Sequence, residues 1–262
     1  MRILFVGDVM GKPGRRALKG LLPRLQSRRQ IDYTIVNVEN SAGGFGVNGA
    51  VLEDLADLQI DCMTTGNHVW DKRDGLPLLD ERDDLLRPAN YPEGNPGKGL
   101  HVGETAAGVP VAVINLEGQV FMKALPSPFD AADRLIRSLP KDVKVIFVDF
   151  HAEATSEKQA MGFFLDGRAS AVVGTHTHVP TADARVLPQG TGLQTDVGMT
   201  GPYESIIGMR ADKVLQRFAL QRNAPFEVAK RDIGLAAVQI DVDEDTGQCL
   251  AMEPILESFQ GG

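Results

Sequence analysis

Short apolar runs alternate with amphipathic stretches over the first quarter of the chain. Each short run fits a strand that is covered on both faces, and each amphipathic stretch repeats its apolar residues at helical spacing. Pro23 falls inside the first such helix and is expected to kink or shorten it. A β-α-β-α-β order predicts parallel strands joined by right-handed crossovers. The predicted strands are residues 3–6, 34–38 and 62–65, and the predicted helices are 15–29 and 51–58.

Hairpins and further strands and helices are predicted over the remaining chain. Two pairs of apolar runs are each joined by a short turn, one pair in the middle of the chain and one around residues 245–247 at its end. The helix predicted over 211–222 has an apolar face that is expected to point inward, formed by Val214, Leu215, Phe218 and Ala219. The predicted strands here are 99–104, 110–115, 143–148, 171–173, 235–242 and 249–256, and the other helices are 129–139 and 156–165.

Length and composition favour one globular domain. A chain of 262 residues, 43% hydrophobic and 24% charged, fits one large domain or two small ones. No internal repeat, low-complexity tract or long linker divides the sequence. We therefore expect a single α/β domain over residues 1–262, built on two packed sheets.

The charge balance and the lengths of the apolar runs exclude several classes of protein. The chain has 27 Lys+Arg against 35 Asp+Glu and a net charge of -8, whereas a DNA or RNA duplex binder needs a basic face. No apolar run approaches the roughly 18–20 residues that span a bilayer, and the N-terminal run is too short for a signal peptide. Cys62 and Cys249 form no CxxC pair and are expected to be buried and reduced. The sequence predicts a cytoplasmic protein without a DNA or membrane partner.

Residues that can bind a metal ion follow five of the predicted strands. Open α/β sheets bind ligands beyond the carboxyl ends of their strands, so these residues are expected to meet. Four of the five histidines are among them. The segments are Gly7-Asp8, Glu39-Asn40, Gly66-Asn67-His68, His151-Ala152-Glu153 and Gly174-Thr175-His176-Thr177-His178.

The chemistry of these side chains indicates a centre with two ions. His176 and His178 are two residues apart, so both rings are expected to project to the same side of an extended strand end. Carboxylate, amide and imidazole ligands without thiolates suit manganese, iron or zinc, and they differ from a thiolate-rich structural zinc site. The chain offers seven such ligands, which is more than one tetrahedral ion needs: Asp8, Glu39, Asn40, Asn67, His151, His176 and His178. A pair of ions about 3.5–4 Å apart that share a carboxylate would use them all.

Six blocks of the sequence resemble the ordered motifs of the calcineurin-like metallophosphoesterases, and more closely those of the YmdB-like branch of that superfamily. The resemblance extends from residue 3 to about residue 209, which is most of the chain. Each block alone is a weak signal, but their order along the chain is specific. The blocks are residues 7–15, 37–40, 66–68, 149–158, 174–178 and 196–203.

The resemblance implies a four-layer fold, with two packed mixed sheets flanked by helices, and a binuclear centre that hydrolyses phosphodiesters. His68 would be the general acid that protonates the leaving oxygen. The implied ligands are Asp8, Glu39, Asn40 and His178 for one ion and Glu39, Asn67, His151 and His176 for the other, with Glu39 as the bridge.

The sequence departs from the broader superfamily at two of these positions. The usual Asp-x-His start is replaced by Asp8-Val9-Met10, which removes one histidine ligand, and the usual bridging aspartate is Glu39. The resemblance to the YmdB-like branch implies that Asn40 fills the vacant position. Iron or manganese is the expected metal, with zinc or magnesium as alternatives.

Three residues near these blocks are candidate substrate contacts, namely Lys12, Arg15 and Tyr203. Tyr203 lies in the glycine-rich segment 198–208, which is expected to be an ordered loop over the strand ends. Glu153 is expected to support a metal-binding histidine from outside the ligand set.

The sequence therefore predicts a metal-dependent phosphodiesterase acting on a small phosphodiester. The spacing of the residues indicates only a phosphate ester, and the resemblance implies 2′,3′- or 3′,5′-cyclic AMP. A phosphomonoesterase such as a nucleotidase is an alternative on the same scaffold. A metal-binding regulatory protein with vestigial catalysis, acting through a partner or RNA, is an alternative of another class, and a protein with a structural metal is a third. A homo-oligomer is compatible with each of them.

Overall fold

Two six-stranded mixed β-sheets pack against each other, with helices on their outer faces, in a computed structural model that describes residues 1–260. The predicted fold class is confirmed. The strands are β1 (Arg2–Val6), β2 (Tyr33–Asn37), β3 (Cys62–Thr64), β4 (Leu100–Glu104), β5 (Pro110–Glu117), β6 (Val145–His151), β7 (Ala171–Thr175), β8 (Arg185–Val186), β9 (Gly192–Gln194), β10 (Gly201–Pro202), β11 (Ile233–Val242) and β12 (Cys249–Ser258). The helices are α1 (Gly11–Arg29), α2 (Gly49–Leu55), α3 (Leu76–Glu81), α4 (Pro128–Ser138), α5 (Thr155–Phe164) and α6 (Ala211–Leu220), and Arg73–Gly75 forms a 3-10 turn before α3.

The first sheet has the order β10-β11-β1-β2-β3, and β12 pairs with β11. The pairs β1–β2 and β2–β3 are parallel, as predicted. The pairs β1–β11 and β11–β12 are antiparallel, so the terminal hairpin is also confirmed, and it pairs with β1, the first strand of the opening unit.

The second sheet has the order β4-β5-β6-β7-β9-β8. The strands β4 and β5 form the predicted antiparallel hairpin, whereas β5, β6, β7 and β9 run parallel. The carboxyl ends of β1, β2 and β3 in one sheet and of β6 and β7 in the other position the residues described below.

The apolar residues of each central strand are divided between two cores. Phe5 of β1 and Phe147 of β6 meet between the sheets, with ring centroids 5.0 Å apart. Leu4 and Val6 point the other way and pack under α1, and Val148 of β6 packs under the helices of the second sheet. Both faces of these strands are buried, which explains why their sequences are continuous apolar runs instead of alternating ones.

The structure differs from two predictions about the helices. Pro23 does not shorten α1, which continues to Arg29, because buried residues of the same helix, Leu22 and Leu25 among them, anchor it to the first sheet on both sides of the proline. In α6 only Val214 is buried, while Leu215 is 54% and Phe218 78% exposed. This helix lies over a small methionine cluster, so a single turn of its apolar face is covered.

Two further predictions concern the cysteines and membrane-spanning segments. Both cysteines are free and buried, as predicted. Within residues 1–260 the structure contains no helix that combines the length and the apolar character needed to cross a bilayer.

Candidate metal centre and active site

Side chains from the carboxyl ends of five strands, β1, β2 and β3 of one sheet and β6 and β7 of the other, meet in one place. Donor atoms of Glu39, His151 and His176 lie within 4.8 Å of one another, and so do those of Asp8, Glu39 and His178. These two sets of side chains are the two donor groups of the site, and Glu39 belongs to both. The two amides join them: Asn67 Oδ1 lies 2.9 Å from His151 Nε2, and Asn40 Oδ1 lies 3.2 Å from His178 Nε2. The structure thus brings together all seven predicted ligands: Asp8, Glu39, Asn40, Asn67, His151, His176 and His178.

The loop after β7 carries two of these histidines in an unusual backbone conformation. His176 has φ 99° and His178 has φ 65°, both in the left-handed region that side chains other than glycine rarely adopt. The two residues therefore do not continue the strand, and the predicted reason for their proximity, alternation along an extended segment, is wrong. The turn instead sends the two rings to different donor groups. Strain of this kind is found where a functional site requires it.

Hydrogen bonds outside the donor groups fix which nitrogen of two histidines faces inward. The Thr175 hydroxyl donates to Asp149 Oδ1 at 2.8 Å, so it accepts from His151 Nδ1 at 2.9 Å. His178 Nδ1 donates to the Ile207 carbonyl at 2.9 Å. The Nε2 atom of each ring therefore faces the donor groups, where a bound cation could replace its proton, and the ring orientation is set by its neighbours, as is usual for metal-binding histidines.

His176 presents its other nitrogen. Its Nε2 contacts the Glu153 carboxylate at 3.1 Å, which places Glu153 where the predicted supporting role needs it. Its Nδ1 lies 3.1 Å from Nε2 of His151. At this distance one ring nitrogen can donate a hydrogen bond to the other, and a cation bound here would take the place of that shared proton.

The electrostatics of the buried acids and histidines also fit metal ions. Burial raises the pKa of Asp8 to about 7, and its Oδ1 has no hydrogen-bond partner. Burial also lowers the pKa of His176, with the charge of His151 adding to the effect, to about 3. Burial opposes charge on Glu39 as well, but the adjacent His151 lowers the pKa of that carboxyl to about 2. An ionised bridging carboxylate, a neutral imidazole and an unsatisfied carboxyl oxygen are the forms that a cation binds.

His68 lies beside the donor groups and lines the same cavity. Its backbone N–H donates to Glu39 Oε2 at 3.2 Å, and its Nδ1 lies 2.7 Å from Asp71 Oδ2. The Phe45 ring meets the imidazole edge to face at 5.0 Å. Asp71 was not among the predicted site residues, although its position three residues after His68 is a signal for such a pair.

The cavity has a volume of about 340 Å³ and lies directly over the donor groups. The three predicted substrate contacts are not among its lining residues. Lys12 is exposed outside it, Arg15 binds the Asp54 carboxylate and the Ser41 carbonyl, and the Tyr203 hydroxyl donates to the Met199 carbonyl. Arg15 and Tyr203 thus have hydrogen-bond partners within the protein, and a substrate contact by any of the three residues stays a prediction.

Comparison with known proteins identifies the family. A family model described as YmdB-like protein matches residues 4–255. The chain belongs to the YmdB-like protein family. The membership predicted from the ordered sequence blocks is thereby confirmed.

Relatives of known activity and known structure cover almost the whole chain. A Bacillus subtilis (strain 168) protein named 2′,3′-cyclic-nucleotide 2′-phosphodiesterase is 48% identical over 256 residues, 98% of this chain and 97% of that protein. A hypothetical protein from Thermus thermophilus has 43% identity and a TM-score of 0.93, over 98% of this chain and 99% of that one. A novel phosphatase from Mycoplasma pneumoniae has 35% identity and a TM-score of 0.92, over 98% and 93% of the two chains. The chain is a phosphoric ester hydrolase, as predicted.

Two buried carboxylates that support the site from outside the donor groups were missed in the sequence. Asp149 accepts hydrogen bonds from Asn37, Thr64 and Thr175 and so ties both sheets to His151. Its place inside the apolar β6 run was a signal, because a charged residue in a doubly covered strand needs buried partners. Asp196 is the second such carboxylate.

Asp196 holds the turn between the two loop histidines. Its Oδ2 accepts from the Thr177 N–H at 3.1 Å, the Thr177 hydroxyl at 2.7 Å and Lys158 Nζ at 2.7 Å. Its Oδ1 accepts from the Gly198 N–H at 2.9 Å. Lys158 and Asp196 are 2% and 1% exposed, so this is a buried ion pair that stabilises a strained loop.

Replacing Lys158 by methionine is expected to lower the free energy of unfolding by about 3–5 kcal/mol, because it leaves the Asp196 charge buried and unpaired. Urea unfolding followed by circular dichroism measures the change. Lys19→Met is the matched control, since Lys19 pairs with Asp54 in a half-exposed position and should cost no more than about 1 kcal/mol. Equal losses for the two variants would show that the buried Lys158–Asp196 pair contributes no more to the free energy of unfolding than the Lys19–Asp54 pair does.

Proposed function

We propose that the chain is a metal-dependent phosphodiesterase that holds two metal ions and acts on 2′,3′-cyclic nucleotides such as 2′,3′-cyclic AMP. One observation supports this most strongly: two donor groups share Glu39 and lie at the floor of a cavity that also contains His68. The name of the Bacillus subtilis relative favours the 2′,3′-cyclic nucleotide over its 3′,5′ isomer.

The proposed ligands divide as the two donor groups do. Asp8, Glu39, Asn40 and His178 would hold one ion, and Asn67, His151 and His176 would hold the other with Glu39. Oxygen and imidazole donors without thiolates favour iron or manganese. Two bound cations supply positive charge against the phosphoryl oxygens and make water nucleophilic near neutral pH.

The protein's own contribution to the reaction is proton donation and orientation. We infer that His68 protonates the oxygen that leaves the phosphorus, and the Asp71 carboxylate 2.7 Å from its Nδ1 would hold the ring in position. The Phe45 edge contact limits rotation of the same ring. His68 needs no metal contact for this task, which distinguishes it from the other three histidines at the site.

Initial rates on four substrates, measured with each candidate metal, test the proposed activity. We expect 2′,3′-cyclic AMP to be hydrolysed faster than 3′,5′-cyclic AMP, and bis-p-nitrophenyl phosphate faster than p-nitrophenyl phosphate. A preference for p-nitrophenyl phosphate would indicate a phosphomonoesterase. Absence of hydrolysis of every diester by metal-replete protein would favour a regulatory role instead.

Removing the metal with a chelator is expected to abolish diester hydrolysis and to leave the fold intact. The cores between and outside the sheets consist of apolar side chains and contain none of the proposed ligands, so they do not depend on an ion. Circular dichroism before and after chelation measures the fold, and rates after adding Mn²⁺ or Fe²⁺ measure recovery. Unfolding on chelation would instead indicate a structural metal.

A further inference from the structure

The cavity over the donor groups has two chemically different sides. One side carries charged and polar groups that belong to the proposed metal centre. The other is apolar and includes Phe45, Ile207, Met209 and Phe226. A phosphate ester alone has no use for an apolar wall, since its own surface is polar and charged. The wall therefore indicates a substrate with a large apolar part next to the phosphate.

Phe226 is held in place although it is 45% exposed. The Arg217 guanidinium lies 4.0 Å from its ring centroid, and Arg217 Nε donates to the Ala224 carbonyl at 2.9 Å, which fixes the arginine to the same segment. The ring centroid of Phe45 is 6.2 Å from that of Phe226. Two aromatic rings at the wall of one cavity, one of them fixed by a cation, form a surface on which a flat ring can stack.

Ile207 contributes to the wall from a strained position. Its φ of 45° is an outlier for a β-branched residue, and its side chain is 51% exposed. Its carbonyl accepts the hydrogen bond from His178 Nδ1. Ile207 thus orients the His178 ring through its backbone carbonyl and lines the cavity with its own side chain. One residue therefore connects a proposed metal ligand to the apolar wall.

We propose that Phe45, Ile207 and Phe226 form a subsite for the nucleobase of the substrate, an inference that rests on the proposed function. The base stacks on the aromatic wall while its cyclic phosphate lies over the donor groups. A stacked base contributes about a 5- to 150-fold gain in binding by alanine substitution. Stacking is tolerant of base identity, so purine and pyrimidine cyclic nucleotides should both be accepted.

The subsite is tested with Phe226→Ala and two substrates that share a five-membered cyclic phosphate. One is 2′,3′-cyclic AMP, and the other is glycerol 1,2-cyclic phosphate, which has no base. We expect kcat/KM for the nucleotide to fall by about 5- to 150-fold, mainly through a higher KM, and that for the glycerol ester to change by less than about twofold. Phe226→Tyr keeps the ring and should keep the wild-type KM.

Phe218→Ala is the matched control, because Phe218 is 78% exposed and lies outside the cavity lining. It should leave both substrates unaffected. An unchanged KM for the nucleotide in Phe226→Ala, or an equal loss on both substrates, would overturn the subsite while the phosphodiesterase activity stands. Wild-type protein that hydrolyses neither cyclic phosphate would overturn the proposed function and the subsite with it.

Discussion

Replacing His68 by alanine is expected to lower kcat for 2′,3′-cyclic AMP by about 10²- to 10⁴-fold, the usual contribution of general acid catalysis. The leaving oxygen of this substrate is a sugar alkoxide, which is a strong base and needs a proton as the bond to phosphorus breaks. The backbone N–H of residue 68 still donates to Glu39 in the variant, so the donor groups keep that contact.

The leaving group distinguishes proton donation from other roles of His68. p-Nitrophenolate leaves without a proton, so the loss on bis-p-nitrophenyl phosphate should be much smaller than the loss on the cyclic nucleotide. Asp71→Asn keeps the imidazole but removes the carboxylate that orients it, and it should produce an intermediate loss with the same dependence on leaving group. Equal losses on both substrates in His68→Ala would remove His68 from the acid role.

Replacing Glu39 by glutamine is expected to have the second large effect, because Glu39 is the one residue shared by both donor groups. Mutation of residues that merely support metal ligands costs about 10- to 100-fold in metal affinity or activity, and loss of the shared carboxylate should exceed that. Elemental analysis should show less than the wild-type metal content, and kcat for any diester should fall by more than about 100-fold.

Glu157→Gln is a suitable control for the Glu39 variant. Glu157 is also buried, and it accepts hydrogen bonds from the backbone N–H groups of Gln119 and Val120, away from both donor groups. It should keep the wild-type metal content and rate. A Glu39→Gln protein with full metal content and full activity would exclude a shared carboxylate as the basis of the centre.

Much of the fold and the composition of the centre could be predicted from the sequence because parallel strands impose a simple rule. Their carboxyl ends lie at one edge of a sheet, so the residues after each apolar run must be neighbours in space. Asp8, Glu39 and His151 follow or end such runs, and the structure places them within a few ångströms of one another. The two hairpins could be predicted equally well, because strands joined by a short turn pair with each other locally.

Other features depend on contacts between segments far apart in the chain. The apolar face of α6 predicts burial, but whether Leu215 and Phe218 are covered depends on which elements reach them, and none in the described chain does. Arg15 lies in a block that resembles the family, yet its guanidinium binds Asp54, 39 residues away. A basic residue near a site can stabilise the fold or contact the substrate. Which of the two it does depends on the side chain that it binds in the tertiary structure.

The sequence by itself determined which residues form the strands and which side chains lie at their ends, because both follow from local periodicity. The tertiary structure decided how those side chains are oriented: the left-handed turn through His176 and His178, the chain from His151 through Thr175 to Asp149, and the buried pair of Lys158 and Asp196. It also brought Phe45 and Phe226 to one wall, although they lie far apart in sequence. These arrangements depend on long-range packing and hydrogen bonds, which have no fixed spacing along a chain.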